Sequence, residues 1–272
     1  MIAKAFLNIT HRRPKLRTFF WKSLYEFLAG RFRNREWQFM NFGYAPQPHE
    51  EEPMPTLPED QVSNRYCIQM YYHLASQVPV EGKDILEVGS GRGGGANFIY
   101  QNLKPSSMTG LDLADKAVDF SNKNYQGESL KYVQGSAVEM PFEDNSFDVV
   151  VNVESSHAYP SMEDFLSEVK RVLRPGGFLV TADNRHSEKV PVWHQQLETS
   201  GMSIIAEKDI TGNVQKALDD DNARKESLVQ KHVPSFLRKY IREFAGMHGT
   251  VMYNDFASRR RIYKSYRLQK AD

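Results

Sequence analysis

The feature that most constrains the fold is a regular alternation of short apolar runs and helix-like segments between residues 64 and 183. The apolar runs cover residues 84–88, 108–113, 130–133, 147–152 and 177–182. One helix-like segment, residues 161–173, is terminated by Pro175-Gly176-Gly177. Strands that alternate with helices at this interval indicate βαβ units. We therefore predict an α/β fold with a mostly parallel sheet and helices on both faces.

The rest of the chain divides less clearly. After Asp183 the pattern predicts a helix over 192–199, a strand over 203–210, further helices to about residue 244, and an edge strand over 261–269. The resulting regions are a helical cap and Pro/Glu-rich linker (1–60), a ligand-binding core (61–211), a helical lid (212–250) and a C-terminal edge strand (251–272).

The N-terminal region is strongly basic, with nine Lys or Arg against two Glu in residues 1–40. Its apolar residues recur at helical spacing and predict an amphipathic helix over 16–28. This helix either packs on its own domain as a cap or touches a membrane surface or a lipid-like substrate. Residues 49–60 contain several prolines and acids, which predict an extended linker without a helix.

Composition excludes several classes of protein. The 272 residues carry 35 Lys and Arg against 34 Asp and Glu, so no global field attracts nucleic acid, and we predict no nucleic-acid partner. The single cysteine, Cys67, cannot form an internal disulfide. No apolar run approaches the roughly 18 residues needed to span a bilayer, and basic residues interrupt every candidate signal sequence. A cytoplasmic protein is expected.

A glycine-rich loop follows the first apolar run, where residues 86–95 read Leu-Glu-Val-Gly-Ser-Gly-Arg-Gly-Gly-Gly. Glycines lack a Cβ atom, so a ligand can approach the backbone closely. Dinucleotide-binding folds use similar loops. Here, however, Gly89, Gly91 and Gly93 alternate without the two-residue gap of the dinucleotide fingerprint, and Glu87 lies two residues before the first glycine.

With Glu87 and its glycines, this segment resembles motif I of the class I S-adenosylmethionine (SAM) methyltransferases. Further motifs follow in the order of that family. Asp112 matches the acid that binds both ribose hydroxyls, residues 135–142 match the adenine-binding segment, and residues 173–177 match the turn before the fifth strand. The resemblance implies a Rossmann-like seven-stranded sheet with a helical cap, SAM as cofactor and S-adenosylhomocysteine as product.

The resemblance also implies a set of cofactor-binding residues. These are Glu87, Gly89, Ser90, Gly91, Gly93, Asp112, Leu113, Ser136, Ala137, Asn152 and Tyr44. Ser136 stands where the family usually has Asp. The contact to the adenine amino group is therefore assigned to backbone, to Ala137 or to Glu139.

The flanking segments resemble a narrower group. Residues 41–44 and 152–160 resemble small-molecule O-methyltransferases of natural-product pathways, and residues 90–95, 231–238 and 242–250 are similar to phthiotriol dimycocerosate methyltransferases. This similarity spans nearly the whole chain. It implies methyl transfer to a hydroxyl of a bulky, apolar polyketide- or lipid-like acceptor.

Two residues are the catalytic candidates. Related sugar methyltransferases place a His soon after strand four and an Asp at the end of strand five, which here are His157 and Asp183. An alcohol is a poor nucleophile, and imidazole, with an ordinary pKa near 6.5, suits a base at neutral pH. We predict that His157 is the general base and that Asp183 orients it. Alternatively, His157 lines the pocket and positioning supplies the rate.

Rival functions remain open at this point. Asp183-Asn184 resembles the pair used by magnesium-dependent catechol-type methyltransferases, but their Asp after strand four is missing, and we predict no metal. C-methylation of a terpenoid or sterol-like acceptor is an alternative, because such enzymes share the Asn-Phe-Gly-Tyr type of segment. A SAM-fold binding protein without turnover and a nicotinamide oxidoreductase are the others.

Overall fold

The computed structural model describes residues 38–272, apart from the side chain of Asp60. The predicted amphipathic helix over 16–28, with its expected contact to a membrane or lipid, lies outside the described residues.

Within this range, seven strands form one sheet in the order β3-β2-β1-β4-β5-β7-β6. They are β1 (Asp84–Val88), β2 (Ser107–Asp112), β3 (Leu130–Gln134), β4 (Phe147–Val153), β5 (Leu173–His186), β6 (Ser203–Asp209) and β7 (Arg261–Gln269). The first five strands pair in parallel, and β7 runs antiparallel to both of its neighbours. The predicted seven-stranded, mostly parallel sheet is confirmed.

Eight α-helices accompany the sheet in the same range. They are α1 (Arg65–Ala75), α2 (Gly94–Leu103), α3 (Asp115–Asn124), α4 (Met162–Val172), α5 (Val190–Glu198), α6 (Thr211–His232), α7 (Ser235–Phe244) and α8 (Val251–Ala257). Short 3-10 helices cover Glu59–Asn64, Ser156–Ala158 and Ser187–Lys189. None of the described helices is both long and apolar enough to cross a bilayer.

Helix α4 illustrates how local sequence sets these elements. The side chain of Ser161 caps the helix by accepting a hydrogen bond from the Asp164 amide at 3.0 Å. Apolar residues three or four positions apart then form one buried stripe, which includes Phe165, Leu166 and Val169. The stripe packs against one face of the sheet, beside residues of β4 and β5.

The core lies on both faces of the sheet because alternate strand residues point to opposite sides. Leu86 and Val150 join a cluster with the side chains of α4 and α5. Ile85 and Val151 belong to the cluster on the other face, with α1 and α2. A strand covered on both faces reads as a continuous apolar run, which is why the runs were visible in the sequence.

The edge strand was predicted wrongly. Residues 261–269 do form a strand, β7, but it lies between β5 and β6. Tyr263, Tyr266 and Leu268 are almost fully buried, as expected of an internal strand. The edge strand on this side is β6, whose residues alternate between exposed and half-buried.

The boundary segments need smaller adjustments. The extended linker ends at Pro58, because Glu59 and Asp60 already belong to a 3-10 helix. The region 212–250, predicted to be helical, contains most of α6 and all of α7. Its role as a lid stays a prediction.

Candidate active site

A cavity of about 230 Å³ opens at the carboxyl ends of β1, β2 and β4. Its walls come from the glycine loop after β1, residues 111–114, residues 135–138, residues 153–155 and 158–160, and the N-terminal segment 38–41. Crevices at the carboxyl ends of strands are where open α/β sheets bind ligands. The cavity gathers most of the residues that the sequence assigned to the cofactor.

The glycine loop forms the tight part of this cavity. Gly89 has a φ of +78°, and a Cβ atom on it would lie 2.4 Å from Ser155 Oγ. Gly91, with a φ of +52°, lies against Met40. Ser90 Oγ is buried and has no hydrogen-bond partner within residues 38–272. The loop thus provides backbone at close range and an uncommitted hydroxyl.

Gly93 has a structural role that differs from that of Gly89 and Gly91. It does not line the cavity, and a Cβ atom there would lie 2.6 Å from both Ser121 Oγ and Tyr132 Cε1. It allows the start of α2 to pack closely on α3 and β3. Its effect on a ligand is therefore indirect.

Asp112 lines the cavity at the end of β2. Its two carboxylate oxygens accept hydrogen bonds from the Gly91 amide at 2.7 Å and the Ala114 amide at 2.9 Å. Burial raises the pKa of Asp112, and these amide hydrogen bonds oppose that rise. Leu113, Ser136 and Ala137 line the wall beside it. A fixed carboxylate between apolar walls fits a ligand with two hydroxyls and a flat ring.

Glu87 is completely buried beneath the glycine loop and does not line the cavity. Burial raises its pKa to about 8, although the Tyr71 hydroxyl and the Ala96 amide oppose the shift. Tyr71 does line the cavity. Neither carboxylate oxygen of Glu87 makes a hydrogen bond of normal geometry within residues 38–272, so Glu87 lies behind the loop without a fixed polar partner there.

Asn152 also acts from behind the cavity wall. Its amide nitrogen lies 2.7 Å from Ser155 Oγ and 3.0 Å from the Tyr159 hydroxyl, and it donates to the Val88 carbonyl at 2.9 Å. The side chain is fully buried. Ser155 and Tyr159 line the cavity, so Asn152 positions them.

Tyr44 was assigned to the cofactor site, and the structure places it elsewhere. Its ring stacks on His73 with centroids 4.2 Å apart, and its hydroxyl donates to Glu52 at 2.6 Å. Tyr44, His73 and Glu52 all line a separate cavity of about 310 Å³. Gly43, with a φ of +92°, turns the chain here, so Asn41 reaches the cofactor cavity and Tyr44 does not.

His157 and Asp183 meet at the ends of β4 and β5. His157 Nδ1 lies 2.8 Å from Asp183 Oδ1, and the His157 amide donates to Asp183 Oδ2 at 2.9 Å. Burial would raise the pKa of Asp183, but the charges of His157 and Arg185 and the hydrogen bonds from His157 and Ser156 hold it well below its usual range. Ser155 and Ala158, on either side of His157 in the chain, line the cofactor cavity, whereas His157 itself does not.

Glu154 was missed as a site residue. It lines the cofactor cavity and adopts a left-handed backbone conformation with φ +48°. One carboxylate oxygen accepts hydrogen bonds from the Phe42 amide at 2.7 Å and the Tyr263 hydroxyl at 2.8 Å. Burial raises its pKa to about 8. No sequence pattern marks it, because both partners are distant in the chain.

Another, more apolar cavity of about 70 Å³ adjoins the cofactor cavity. Residues 39–41 and Arg92 line both cavities and form their common wall. The other walls come mainly from α6 and α7, which contribute Leu228, Val229, Ile241 and Phe244. An apolar chain can bind here beside the cofactor cavity.

The Asp183-Asn184 pair does not form a common binding surface. Asp183 is engaged by His157, whereas Asn184 Oδ1 accepts a hydrogen bond from Arg261 at 2.7 Å. Consecutive strand residues point to opposite faces, which separates the two side chains. Across residues 38–272, no group of three or more His, Cys, Asp or Glu is arranged to hold a metal ion.

Comparison with known proteins agrees with this geometry. Residues 86–181 match the family model described as a methyltransferase domain. Phthiotriol/phenolphthiotriol dimycocerosates methyltransferase of Mycobacterium tuberculosis is 34% identical over 270 residues, which is 99% of this chain and 97% of that protein. A fatty-acid O-methyltransferase of Mycolicibacterium smegmatis is 37% identical over 82% of this chain and 80% of its own length.

Solved structures match at the level of the fold. Geranyl diphosphate C-methyltransferase from Streptomyces coelicolor, in complex with Mg²⁺, geranyl diphosphate and S-adenosyl-L-homocysteine, aligns with a TM-score of 0.63 and 15% identity over 91% of this chain and 98% of its own. Phosphoethanolamine N-methyltransferase 2 from Haemonchus contortus, in complex with S-adenosyl-L-methionine, aligns with a TM-score of 0.58 and 17% identity over 75% of this chain and 52% of its own.

The predicted fold, cofactor and enzyme class are confirmed. The chain belongs to the class I SAM-dependent methyltransferases, in the family that includes the phthiotriol/phenolphthiotriol dimycocerosates methyltransferases.

Proposed function

We propose that this enzyme transfers the methyl group of SAM to a hydroxyl of a bulky, lipid-like molecule, with His157 as the general base. The observation that carries the proposal is the contact of His157 Nδ1 with Asp183 at 2.8 Å, beside the cofactor cavity. The names of the relatives, which refer to phthiotriol and fatty acid, support a lipid-like acceptor. The apolar cavity next to the cofactor cavity has the matching chemistry.

The charge of Asp183 supports the assigned role of His157. An ionised carboxylate at this position favours a proton on Nδ1 of the ring. The Nε2 atom then keeps its lone pair, and it has no hydrogen-bond partner within residues 38–272. The side chain is 31% exposed, so the ring is not sealed inside the protein. The base receives the hydroxyl proton as the oxygen takes the methyl group.

The residues around the cofactor cavity divide into two proposed groups. Asp112 would bind the ribose hydroxyls, while Gly89, Ser90, Gly91, Leu113, Ser136 and Ala137 would surround the rest of the cofactor. Glu87, Gly93 and Asn152 would position that group from behind. SAM, when bound, supplies a methyl group on a sulfonium that is open to nucleophilic attack.

Product analysis tests the proposed transfer to oxygen. The enzyme is incubated with SAM carrying a ¹³C-labelled methyl group and with a long-chain secondary alcohol, and the product is examined by NMR. We expect a methyl ether. A carbon-bound methyl group in the product would replace this proposal with C-methylation.

Glu154 favours that second candidate. Glu154 lines the cofactor cavity, and its carboxyl is fixed by Phe42 and Tyr263. A buried acid in this position can stabilise a carbocation or take a proton from carbon. Under C-methylation, Glu154→Gln would abolish turnover and His157→Ala would be tolerated. The opposite ranking of the two variants is expected for transfer to oxygen.

A further inference from the structure

Lys225 is the unusual residue of the apolar cavity. It lies in α6, and its Nζ atom has a single hydrogen-bond partner within residues 38–272, the Ala245 carbonyl at 3.4 Å. No carboxylate of that range lies within 4.0 Å of the Nζ atom. The neighbouring Arg224, by contrast, makes two hydrogen bonds of 2.6 Å with Asp221.

The charged groups that line this cavity are all basic within the described part of the chain. They are Arg92, Arg224 and Lys225, and the remaining walls are mostly apolar. Desolvation lowers the pKa of Lys225, as expected for an ammonium among apolar side chains. A cavity with mostly apolar walls and the ammonium of Lys225 at its side matches an amphiphilic anion.

Lys225 also lies near the cofactor cavity. Its charge and that of Glu154, which lines the cofactor cavity, influence each other's pKa. The common wall of residues 39–41 and Arg92 connects the two spaces. An anion held by Lys225 would therefore lie in the space that adjoins the cofactor cavity, with its chain among the side chains of α6 and α7.

We propose that Lys225 binds the carboxylate of the acceptor, so that the acceptor is a long-chain carboxylic acid bearing the methylated hydroxyl. The inference rests on the proposed function in taking the apolar cavity as the acceptor site. It adds the residue that selects an acid over a neutral lipid. The carboxylate forms a charge-assisted hydrogen bond with the ammonium and does not itself need to react.

Binding measurements test this without turnover. The full chain, saturated with S-adenosylhomocysteine, is titrated with dodecanoate, dodecanol and dodecyl phosphate. We expect dodecanoate to bind about 10- to 100-fold more tightly than dodecanol, the range for a hydrogen bond to a charged group. Equal affinities for the acid and the alcohol, or no binding of either, would overturn the proposal. Tighter binding of dodecyl phosphate than of dodecanoate would overturn the choice of carboxylate.

Two variants locate the effect. Lys225→Met keeps the length of the side chain and removes its charge, so it should bring dodecanoate down to the affinity of dodecanol. Lys239→Met, an exposed position on α7, is the matched control and should keep the preference. If Lys225→Met still bound dodecanoate more tightly than dodecanol, Lys225 would not be the group that selects the acid. The comparison of ligands on the unsubstituted chain stands even if Lys225→Met does not fold.

Failure of the proposed function is recognised separately. Selective binding of dodecanoate without methylation of any hydroxy acid would remove the function and leave the Lys225 site. A methyl ester product would mean that the bound carboxylate is itself methylated. Methylation of neutral alcohols, with no preference for acids, would keep the proposed function and remove the Lys225 site.

Discussion

Glu52 Oε1 lies 2.7 Å from the ammonium of Lys208, which ties the proline-rich segment to the edge strand β6. The other carboxylate oxygen lies 3.1 Å from His73 Nδ1 and accepts a hydrogen bond from Tyr44. The hydrogen bond with His73 is the largest contribution that lowers the pKa of Glu52, to about 2, and Lys208 adds to it. The segment 49–58 is therefore anchored to the domain despite its linker-like sequence.

This anchoring predicts a pH-dependent contribution to stability. Because the pKa of Glu52 is lower in the folded than in the unfolded protein, its contribution is present above about pH 4.5 and is lost as pH falls towards 2. Glu52→Gln should lower the free energy of unfolding by about 1–2 kcal/mol at pH 7, allowing for partial solvent screening. Urea unfolding at several pH values measures this.

The matched control for Glu52 is Glu51→Gln, since Glu51 is exposed and adjacent. We expect Glu51→Gln to leave stability unchanged. The difference between Glu52→Gln and the unsubstituted protein should shrink as pH falls below about 4.5. A difference that is constant from pH 7 to 3 would contradict the ionic origin.

His157→Ala should reduce the methylation rate about 10²- to 10⁴-fold, the usual range for loss of a general base. Affinity for S-adenosylhomocysteine should be unchanged, because His157 does not line the cofactor cavity. Steady-state kinetics and calorimetric titration give the two quantities. His49→Ala, at an exposed histidine, is the control. Near-normal turnover of His157→Ala would show that His157 is not the general base.

Asp112→Asn should weaken binding of S-adenosylhomocysteine about 10- to 100-fold, because a neutral amide replaces the charged acceptor of two hydroxyls. Calorimetric titration measures the change. Asp119→Asn, exposed on α3, should bind as tightly as the unsubstituted protein. If Asp112→Asn kept full affinity, the ribose would have to be held by other groups.

Two glycines with similar backbones provide a matched pair. Gly82 has a φ of +72° and nothing within 4 Å of a Cβ atom built on it, whereas on Gly89 that atom would lie 2.4 Å from Ser155 Oγ. Alanine at Gly82 should cost about 1–2 kcal/mol of stability because of the left-handed backbone, and alanine at Gly89 should cost more because of the added contact with Ser155. Only Gly89→Ala should also lose most of its affinity for S-adenosylhomocysteine. Equal cofactor binding by both variants would mean that Ser155 and the loop can adjust.

Sequence reasoning succeeded where function depends on local order along the chain. The glycine loop, Asp112 and the Ser136-Ala137 segment follow buried strands, and parallel strands bring their carboxyl ends to one edge. The pairing of His157 with Asp183 was predictable for the same reason, since β4 and β5 are neighbours.

Sequence reasoning failed where a residue's environment comes from distant segments. Tyr44 was misplaced because a turn at Gly43 decides its direction. Glu154 and Lys225 were missed because their surroundings are built from residues such as Phe42, Tyr263 and Ala245. The position of β7 was wrong because strand order is a property of the whole sheet.

The common wall of residues 39–41 and Arg92 has a thermodynamic consequence. Since these residues line both cavities, a ligand that shifts them in one cavity alters the other. Linkage requires such coupling to be reciprocal, so the cofactor changes acceptor affinity by the same factor as the acceptor changes cofactor affinity. The affinity for either ligand thus depends on whether the other is bound, through a few residues that touch both.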